Sequence, residues 1–170
     1  MRRLSGFLIF LIFVFVVIAI ISLLIPSKVT VARSVEINAT PEEVSKQIAD
    51  FELWKNWYPA FKDENITVIK NVPDSSSVTL KDKGGKDIIL TRVETNADVI
   101  TVDVHSSSST KVNYRFVLTP KMNNQTQLTW DVNTDMGWYP WKKIQGILLD
   151  KFSGNQYEAA LGNLKKAVEN

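Results

Sequence analysis

The sequence predicts an α+β protein in which one N-terminal transmembrane helix precedes a curved antiparallel sheet of about seven strands, wrapped around a long C-terminal helix. Three observations predict it: an uncharged apolar run over residues 7–25, segments of alternating polarity over residues 66–136, and apolar residues at helical spacing near the C-terminus. A chain of 170 residues suits one such domain and a short appendage. We place the anchor in residues 1–28 and the domain in residues 29–170.

The apolar run from Phe7 to Ile25 predicts a membrane anchor. A helix of this length extends roughly 28 Å, close to the thickness of the hydrocarbon core of a bilayer. Arg2 and Arg3 are the only charged side chains before Lys28, so the positive-inside rule places the N-terminus in the cytoplasm and the folded domain outside it. A cleaved signal peptide is the alternative, but its apolar region would be shorter and followed by a small-residue cleavage site. We expect an uncleaved, single-pass membrane protein.

The first elements of the domain are a strand and two short helices. Residues 29–37 alternate between apolar and polar side chains, which predicts a strand. Thr40 can cap a helix, Pro41 suits its first position and Glu43 completes a capping box, so a helix is predicted to begin here and to end near Asp50.

The second short helix is predicted in the sequence FELWKNWYPAF, residues 51–61, which contains five aromatic side chains. A proline ends it after two turns. Helical spacing divides its apolar side chains into two stripes. The first, Leu53, Trp57 and Phe61, is expected to fill the groove between the sheet and the C-terminal helix. The second, Trp54 and Tyr58, is expected to lie towards the rim of that groove.

Turn-forming residues at 73–76, 83–86, 95–98, 106–109 and 123–126 divide the next segment into antiparallel strands. The last three strands alternate most clearly, with one apolar face and one polar face. Their predicted inward side chains are Ile100, Val102 and Val104; Val112, Tyr114, Phe116 and Leu118; and Leu128, Trp130 and Val132.

The C-terminal helix is predicted from apolar residues at helical spacing, which we expect to face the sheet. Ser153 and Gly154 predict a kink or break between its two halves. The first half carries Trp141, Ile144, Leu148 and Phe152, and the second carries Tyr157, Leu161, Leu164 and Val168.

Composition excludes several classes of site. The chain has no cysteine and one histidine, so disulfides, thiolate sites and multi-histidine zinc clusters are excluded. Without Arg2 and Arg3 it has 18 basic and 18 acidic residues, which is not the charge of a nucleic-acid binder. His105 falls on the outward face with Asp103 and is interpreted as a surface residue. We predict no metal, no cofactor and no catalytic residue set.

Three stretches resemble the helix-grip superfamily, which includes START lipid-binding domains, pollen-allergen proteins and polyketide cyclase/dehydrase-like (SRPBCC) proteins. They are VARSVEINATPEEV at 31–44, FELWKNWYP at 51–59 and GNQYEAALGNLKKAVE at 154–169, and LTWDV at 128–132 is similar to the final strand of that family. The likeness extends from Val29 to Asn170. It implies a pocket between sheet and long helix for a lipid, polyketide or other hydrophobic small molecule, but no single chemistry.

The candidate pocket residues are the inward aromatic and aliphatic side chains and one arginine. Arg33 lies in phase with the inward residues of the first strand, where it would hold an anionic head group or form an ion pair. The other candidates either line a cavity or fill the core: Trp57, Tyr58, Phe61, Val102, Tyr114, Phe116, Trp130, Trp141, Leu148, Phe152 and Leu161.

Three functions are consistent with these patterns. The first is a membrane-anchored domain that binds a hydrophobic small molecule or lipid without transforming it. The second is an enzyme of the polyketide cyclase/dehydrase type, with Tyr58, Tyr114 and Arg33 as its polar groups. The third is an anchored interaction or stress-response module with a filled core, in which GWYPW at 137–141 is an exposed patch for a partner.

Overall fold

The computed structural model describes residues 2–62, 67–70, 76–81, 84–106 and 110–170. The predicted turns at 73–76, 83–86 and 106–109 lie partly outside the described residues. The elements are α1 Arg2–Leu24, β1 Lys28–Ile37, α2 Pro41–Ala49, α3 Trp54–Trp57 with a 3-10 turn Pro59–Phe61, β2 Thr67–Lys70, β3 Ser77–Lys81, β4 Asp87–Thr95, β5 Val99–Ser106, β6 Lys111–Pro120, β7 Thr126–Asp135 and α4 Pro140–Glu169.

The strands form one antiparallel sheet in the order β1-β7-β6-β5-β4-β3-β2. The first strand therefore pairs with the last, in unbroken register from Lys28 opposite Asp135 to Ile37 opposite Thr126. Alternation decides which side chains enter the core, because successive residues of a strand point to opposite faces of the sheet. The predicted fold class, with seven strands, two short helices after β1 and a long C-terminal helix, is confirmed.

The start of α2 follows from its capping box. The Thr40 side chain accepts a hydrogen bond from the Glu43 backbone N–H, and the Glu43 carboxylate accepts one from the Thr40 backbone N–H at 2.9 Å. This backbone hydrogen bond lowers the pKa of Glu43. Val44 and Ile48 on the same helix are buried.

The C-terminal helix α4 is one continuous helix of 30 residues, so the predicted break at Ser153 and Gly154 is wrong. Gly154 instead permits close packing against β1, because a Cβ there would meet the guanidinium of Arg33. Gly146 does the same two turns earlier, where a Cβ would lie 2.9 Å from Val29 Cγ2.

The predicted inward position of the first apolar stripe of α4 is also wrong. Trp141, Ile144, Leu148 and Phe152 are exposed. The buried face of this half of the helix carries Lys143 and the two glycines, roughly 180° away at about 100° per residue. Since β1 can approach α4 closely only where side chains are absent, the glycine face turns to the sheet and the apolar stripe turns away.

The N-terminal helix α1 is long and apolar enough, over Gly6–Leu24, to cross a membrane, and nearly all of this segment is exposed. Its C-terminal end contacts the beginning of α4. The buried amino group of Lys143 donates hydrogen bonds to the backbone carbonyls of Ser22, at 2.9 Å, and Ile25, at 3.0 Å. The Ser22 carbonyl also accepts a hydrogen bond from the Ile25 backbone N–H at 3.3 Å, and Ile25 directly follows α1.

Substituting two glycines of α4 by alanine should give different effects on stability. Gly162→Ala meets no atom within 4 Å, so we expect the free energy of unfolding to rise by about 0.5–1 kcal/mol through the better helix propensity of alanine. Gly146→Ala gains the same propensity but crowds Val29 and Met136, so we expect no gain, and Gly146→Leu should cost about 1–3 kcal/mol. Urea unfolding of the full chain in detergent measures each; an equal gain at both glycines would contradict the close packing.

Candidate functional site

The interior between sheet and helix contains an aromatic cluster centred on Trp130, which is fully buried. Rings from α3, β6 and α4 and from the residue after α3 surround it. Their centroids lie 5.0 Å (Phe116), 5.0 Å (Tyr157), 5.2 Å (Tyr114), 5.7 Å (Tyr58) and 6.1 Å (Trp57) from that of Trp130. The predicted candidates Trp57, Phe116 and Trp130 therefore pack together in the core.

The segment 51–61 is held in place by its two indole groups. The Trp54 indole N–H donates to the carbonyl of Ile48 at 2.8 Å, and that of Trp57 donates to the carbonyl of Gln47 at 3.2 Å. Both acceptors are carbonyls of the last turn of α2, which have no intrahelical partner. Trp54 is consequently as fully buried as Trp57, and its predicted position towards the rim is wrong.

Polar groups converge beside this cluster. The hydroxyl oxygens of Tyr58 and Tyr114 lie 3.0 Å apart. Burial raises the pKa of Tyr58 to about 12 and that of Tyr114 well above its usual value, and burial likewise raises the pKa of Tyr157. All three hydroxyls are therefore protonated at neutral pH and act as hydrogen-bond donors, not as bases.

Two donors of the cluster are available to a further group. In the Tyr58–Tyr114 pair one hydroxyl donates to the other, and the accepting hydroxyl keeps its own proton for a third group. The Trp130 indole N–H is buried without a hydrogen-bond partner among the described residues, and such a group costs about 1–3 kcal/mol. The arrangement suits a molecule that brings an oxygen acceptor into an otherwise apolar environment.

On β6 the inner-face residues become more exposed towards the end where α1 joins β1, whereas Thr134 on the neighbouring β7 stays buried. Along β6, Phe116 is 0% exposed, Tyr114 is 7% exposed and Val112 is half-buried. Val112 pairs with Thr134, which pairs with Val29, so Val112 lies in one of the rows nearest α1. Leu149, from the first half of α4, is also half-buried beside the core. The inner face is therefore most accessible beside β6 at this end.

The sheet interior contains an arginine that sequence analysis missed. Arg92 lies opposite Val102, which lies opposite Tyr114, so it shares their inward row. Its guanidinium donates to the carbonyl of Ala49 at the end of α2. The sequence does contain a signal for this position, because Arg92 alternates in phase with Ile88 and Leu90 on the same face of β4.

Arg33 lies in the inward phase of β1, as predicted, and it is paired. Its guanidinium crosses Gly154 of α4 and donates to Asp150 at 2.6 Å and to Glu158 at 2.7 Å. Both carboxylates are exposed. Arg33 thus joins β1 to α4 and is already neutralised, which leaves it little capacity to hold an anionic head group.

The remaining candidates lie in two places. Val102 and Leu161 are fully buried, and Phe61 and Tyr58 are half-buried at the margin of the core. The other three, Trp141, Leu148 and Phe152, are on the outward face of α4 and are not brought to the aromatic cluster.

A groove of about 390 Å³ lies mainly on the outer face of the sheet; Lys28, Asp103, His105 and Lys111 are among its polar residues, and Val112 also borders it. His105 is exposed there, as predicted. Asp103 accepts a hydrogen bond from Asn113 at 2.7 Å, so it takes part in bonding across the sheet itself. Among the described residues no group of His, Cys, Asp and Glu is arranged to hold a metal ion. We therefore take the inner face as the candidate site.

The buried tyrosines should make the protein less stable at high pH. The unperturbed pKa of tyrosine is 10.0, and burial raises that of Tyr58 to about 12, so between these values the folded state retains a proton that the unfolded state loses. The stabilisation is complete below about pH 10 and is lost as pH rises towards 12. Urea unfolding at pH 8, 10 and 11 should show this decline, and Tyr114→Phe should reduce its slope. A slope unchanged by Tyr114→Phe would contradict the burial of that hydroxyl.

Comparisons with known proteins place this architecture in a family. Solved structures with the same fold include a START superfamily protein from Mycobacterium smegmatis (21% identity, TM-score 0.58, covering 83% of this chain and 97% of that one) and the Zhui aromatase/cyclase from Streptomyces sp. R1128 (14%, 0.62, 84% and 94%). A conserved protein from Geobacillus kaustophilus is similar too (14%, 0.61, 83% and 94%). No curated protein matches the sequence significantly. The sequence profile of one family matches residues 28–169, and the chain thus belongs to the polyketide cyclase / dehydrase and lipid transport family.

Proposed function

We propose that the chain is a membrane-anchored binding domain for a hydrophobic small molecule or lipid, held between the sheet and α4 without being transformed. Residues 1–28 form the anchor and residues 29–170 the binding domain, with the N-terminus cytoplasmic and the domain on the other side of the membrane. The observation that carries the proposal is the rising exposure of inner-face residues along β6 towards α1, from Phe116 to Val112, which we interpret as an opening between sheet and helix. A ligand leaving the bilayer would meet this opening first.

The chemical class of the ligand follows from the inner surface. Its apolar rings and aliphatic side chains favour a hydrophobic body. The surplus donors, a Tyr58–Tyr114 hydroxyl and the Trp130 indole N–H, favour at least one carbonyl, ester or hydroxyl oxygen. Fatty acyl compounds and polyketides both meet this description.

The test is photo-crosslinking of a diazirine-bearing fatty acid to the full chain in lipid vesicles, followed by peptide mapping. We expect adducts in α1, which report contact with lipid, and adducts in the peptides that contain Tyr58, Tyr114 or Leu149. Val112→Trp fills the opening and should reduce the inner-face adducts about tenfold relative to those in α1, as expected for about 1.4 kcal/mol of crowding or more.

The matched control is Val117→Trp, the same substitution on the same strand but on its outer face. It should leave the inner-face adducts unchanged. Inner-face peptides without adducts, despite labelling of α1, would overturn the proposal, and so would equal labelling in the two variants.

The Tyr58–Tyr114 pair favours one alternative, an enzyme of the cyclase/dehydrase type. A protonated hydroxyl in an apolar site can donate to a substrate carbonyl and stabilise the oxyanion that develops there during ring closure. Incubation of the full chain with a poly-β-carbonyl compound should then yield cyclised product, lost in Tyr58→Phe and Tyr114→Phe. Product formation equal to that without protein would leave binding as the function.

A further inference from the structure

The outward face of α4 and the two residues before it carry an exposed apolar surface, here called the outer stripe: Trp138, Tyr139, Trp141, Ile144, Leu148 and Phe152. Trp138 and Phe152 are more than 70% exposed, at 73% and 72%. Six large apolar side chains along one face exceed what soluble surfaces usually present, and such patches mark contact with a partner or a membrane. The stripe ends where Asn155 and Gln156 follow.

The position of the outer stripe along α1 indicates the partner. Ile144 and Pro140 form an apolar cleft with Ile18, Ile21 and Ile25 of the N-terminal helix. The segment from Ile18 to Ile25 covers only about 10 Å at 1.5 Å per residue. If α1 spans a bilayer, the start of the stripe therefore lies within about 10 Å of the end of the apolar segment, at the boundary between lipid tails and head groups.

The hydrogen bonds of Lys143 fix this height. Its amino group contacts the carbonyls of Ser22 and Ile25, so the first turn of α4 cannot move away from the end of α1 without losing both bonds.

The composition of the outer stripe matches that boundary. Trp and Tyr are enriched at membrane–water interfaces, where their rings lie at the level of the head groups. Trp138 and Tyr139 stack with centroids 4.5 Å apart, and Tyr139 and Trp141 lie 5.1 Å apart. Lys142 lies over the Tyr139 ring at 5.7 Å, which places a cation where lipid phosphates would be. Apolar and aromatic side chains beside a cation are also the composition with which helices bind in the plane of the interface.

We propose that the outer stripe inserts into the head-group region of the leaflet in which α1 ends, so that the first half of α4 lies in the membrane surface. This rests on the anchoring part of the proposed function and does not depend on ligand binding. The domain would then be held by two contacts, the transmembrane helix and the stripe, with the opening of its inner face turned to the lipid.

Spin labelling tests the insertion directly, because the chain has no native cysteine to compete for the label. Single variants Leu148→Cys and Phe152→Cys place labels on the outer stripe. Met122→Cys, at an 88% exposed position between β6 and β7, is the aqueous control, and Ile12→Cys in the middle of α1 is the control for anchoring. The full chain is reconstituted in phosphatidylcholine–phosphatidylglycerol vesicles, and the accessibility of each label to oxygen and to a water-soluble nickel complex is measured.

We expect the labels at Leu148 and Phe152 to favour oxygen over nickel, as that at Ile12 does, and the label at Met122 to show the reverse. Trp138→Ala with Trp141→Ala should shift the Leu148 label towards water. If the labels at Leu148 and Phe152 are as accessible to nickel as the label at Met122, while the label at Ile12 favours oxygen, the insertion of the stripe is overturned but the anchoring by α1 is not. A label at Ile12 that is accessible to the nickel complex would overturn both the anchoring and the insertion. Spin–spin broadening at Leu148 that disappears on dilution with unlabelled chain would show that the outer stripe contacts a second copy of the chain instead.

Discussion

Trp130→Ala is expected to lower the free energy of unfolding by about 3–5 kcal/mol, the range for removing a large buried ring. Five aromatic rings surround this indole, and they come from three different parts of the chain. No single neighbour can move into the space without leaving its own partners, so most of the cavity should persist. Urea unfolding of the full chain in detergent, followed by circular dichroism, measures the loss.

Trp130→Phe separates the two properties of this side chain. It keeps a ring but removes the indole N–H, which is buried without a partner among the described residues. Removal of such a group recovers about 1–3 kcal/mol and partly offsets the lost volume, so we expect Phe to cost clearly less than Ala. Trp138→Ala, at an exposed position, should stay within about 0.5 kcal/mol of the natural chain. Equal costs for Trp130→Ala and Trp138→Ala would contradict the central position of Trp130.

Lys143→Met should release α1 from α4. The lysine is buried, and its amino group donates to two carbonyls at the C-terminal end of α1, where the helix dipole favours a positive charge. Hydrogen bonds to a charged group contribute about 1.5–3 kcal/mol, which corresponds to a factor of roughly 10 to 100 in the equilibrium between docked and undocked helices.

Cross-linking measures this release. Ile18→Cys and Ile144→Cys, which line the same cleft, can be joined by a short bis-maleimide in the full chain. The yield should fall in Lys143→Met and remain high in Lys151→Met, the same substitution at an exposed position of α4. A yield unaffected by Lys143→Met would mean that the apolar cleft alone holds the two helices.

The sheet and α2 were predictable because each depends on signals within a few residues. Alternation along β6 sorts Phe116 from Arg115 regardless of the rest of the fold. The capping box of α2 requires only Thr40, Pro41 and Glu43. The identities of these residues determine their local structure, so the prediction and the structure agree.

The orientation of α4 could not be predicted in this way. Its first half has one apolar stripe, that of Trp141 and Leu148, and an opposite face with Lys143, Gly146 and Gly154. Analysis of periodicity considers only where apolar side chains recur, so it selects the face of Trp141 and Leu148 as the core face. The buried face is instead selected by close approach to β1 and by the ion pairs of Arg33, and neither is visible from spacing within the helix.

For the candidate site, the sequence predicted which residues face inward but not how their side chains are arranged. The sequence indicated Tyr58, Tyr114 and Trp130 as inward residues, but their sequence separation gave no sign that the two hydroxyls lie 3.0 Å apart. Arg92 was missed because β4 shifts register after it, between Arg92 and Glu94, which shortens the alternating run that identifies a strand face.

The pairing of β1 with β7 has a consequence for how the protein is made. Val31 and Val132 are about a hundred residues apart in the chain, yet they are neighbours in the sheet. Contacts between such distant residues form slowly, because the chain must first close a long loop. β1 is synthesised directly after α1, but its partner β7 is synthesised only after most of the domain. Until then β1 has no strand to pair with in its final position. A strand edge left open for that time is prone to wrong pairing, and this hazard lasts until β7 has been synthesised.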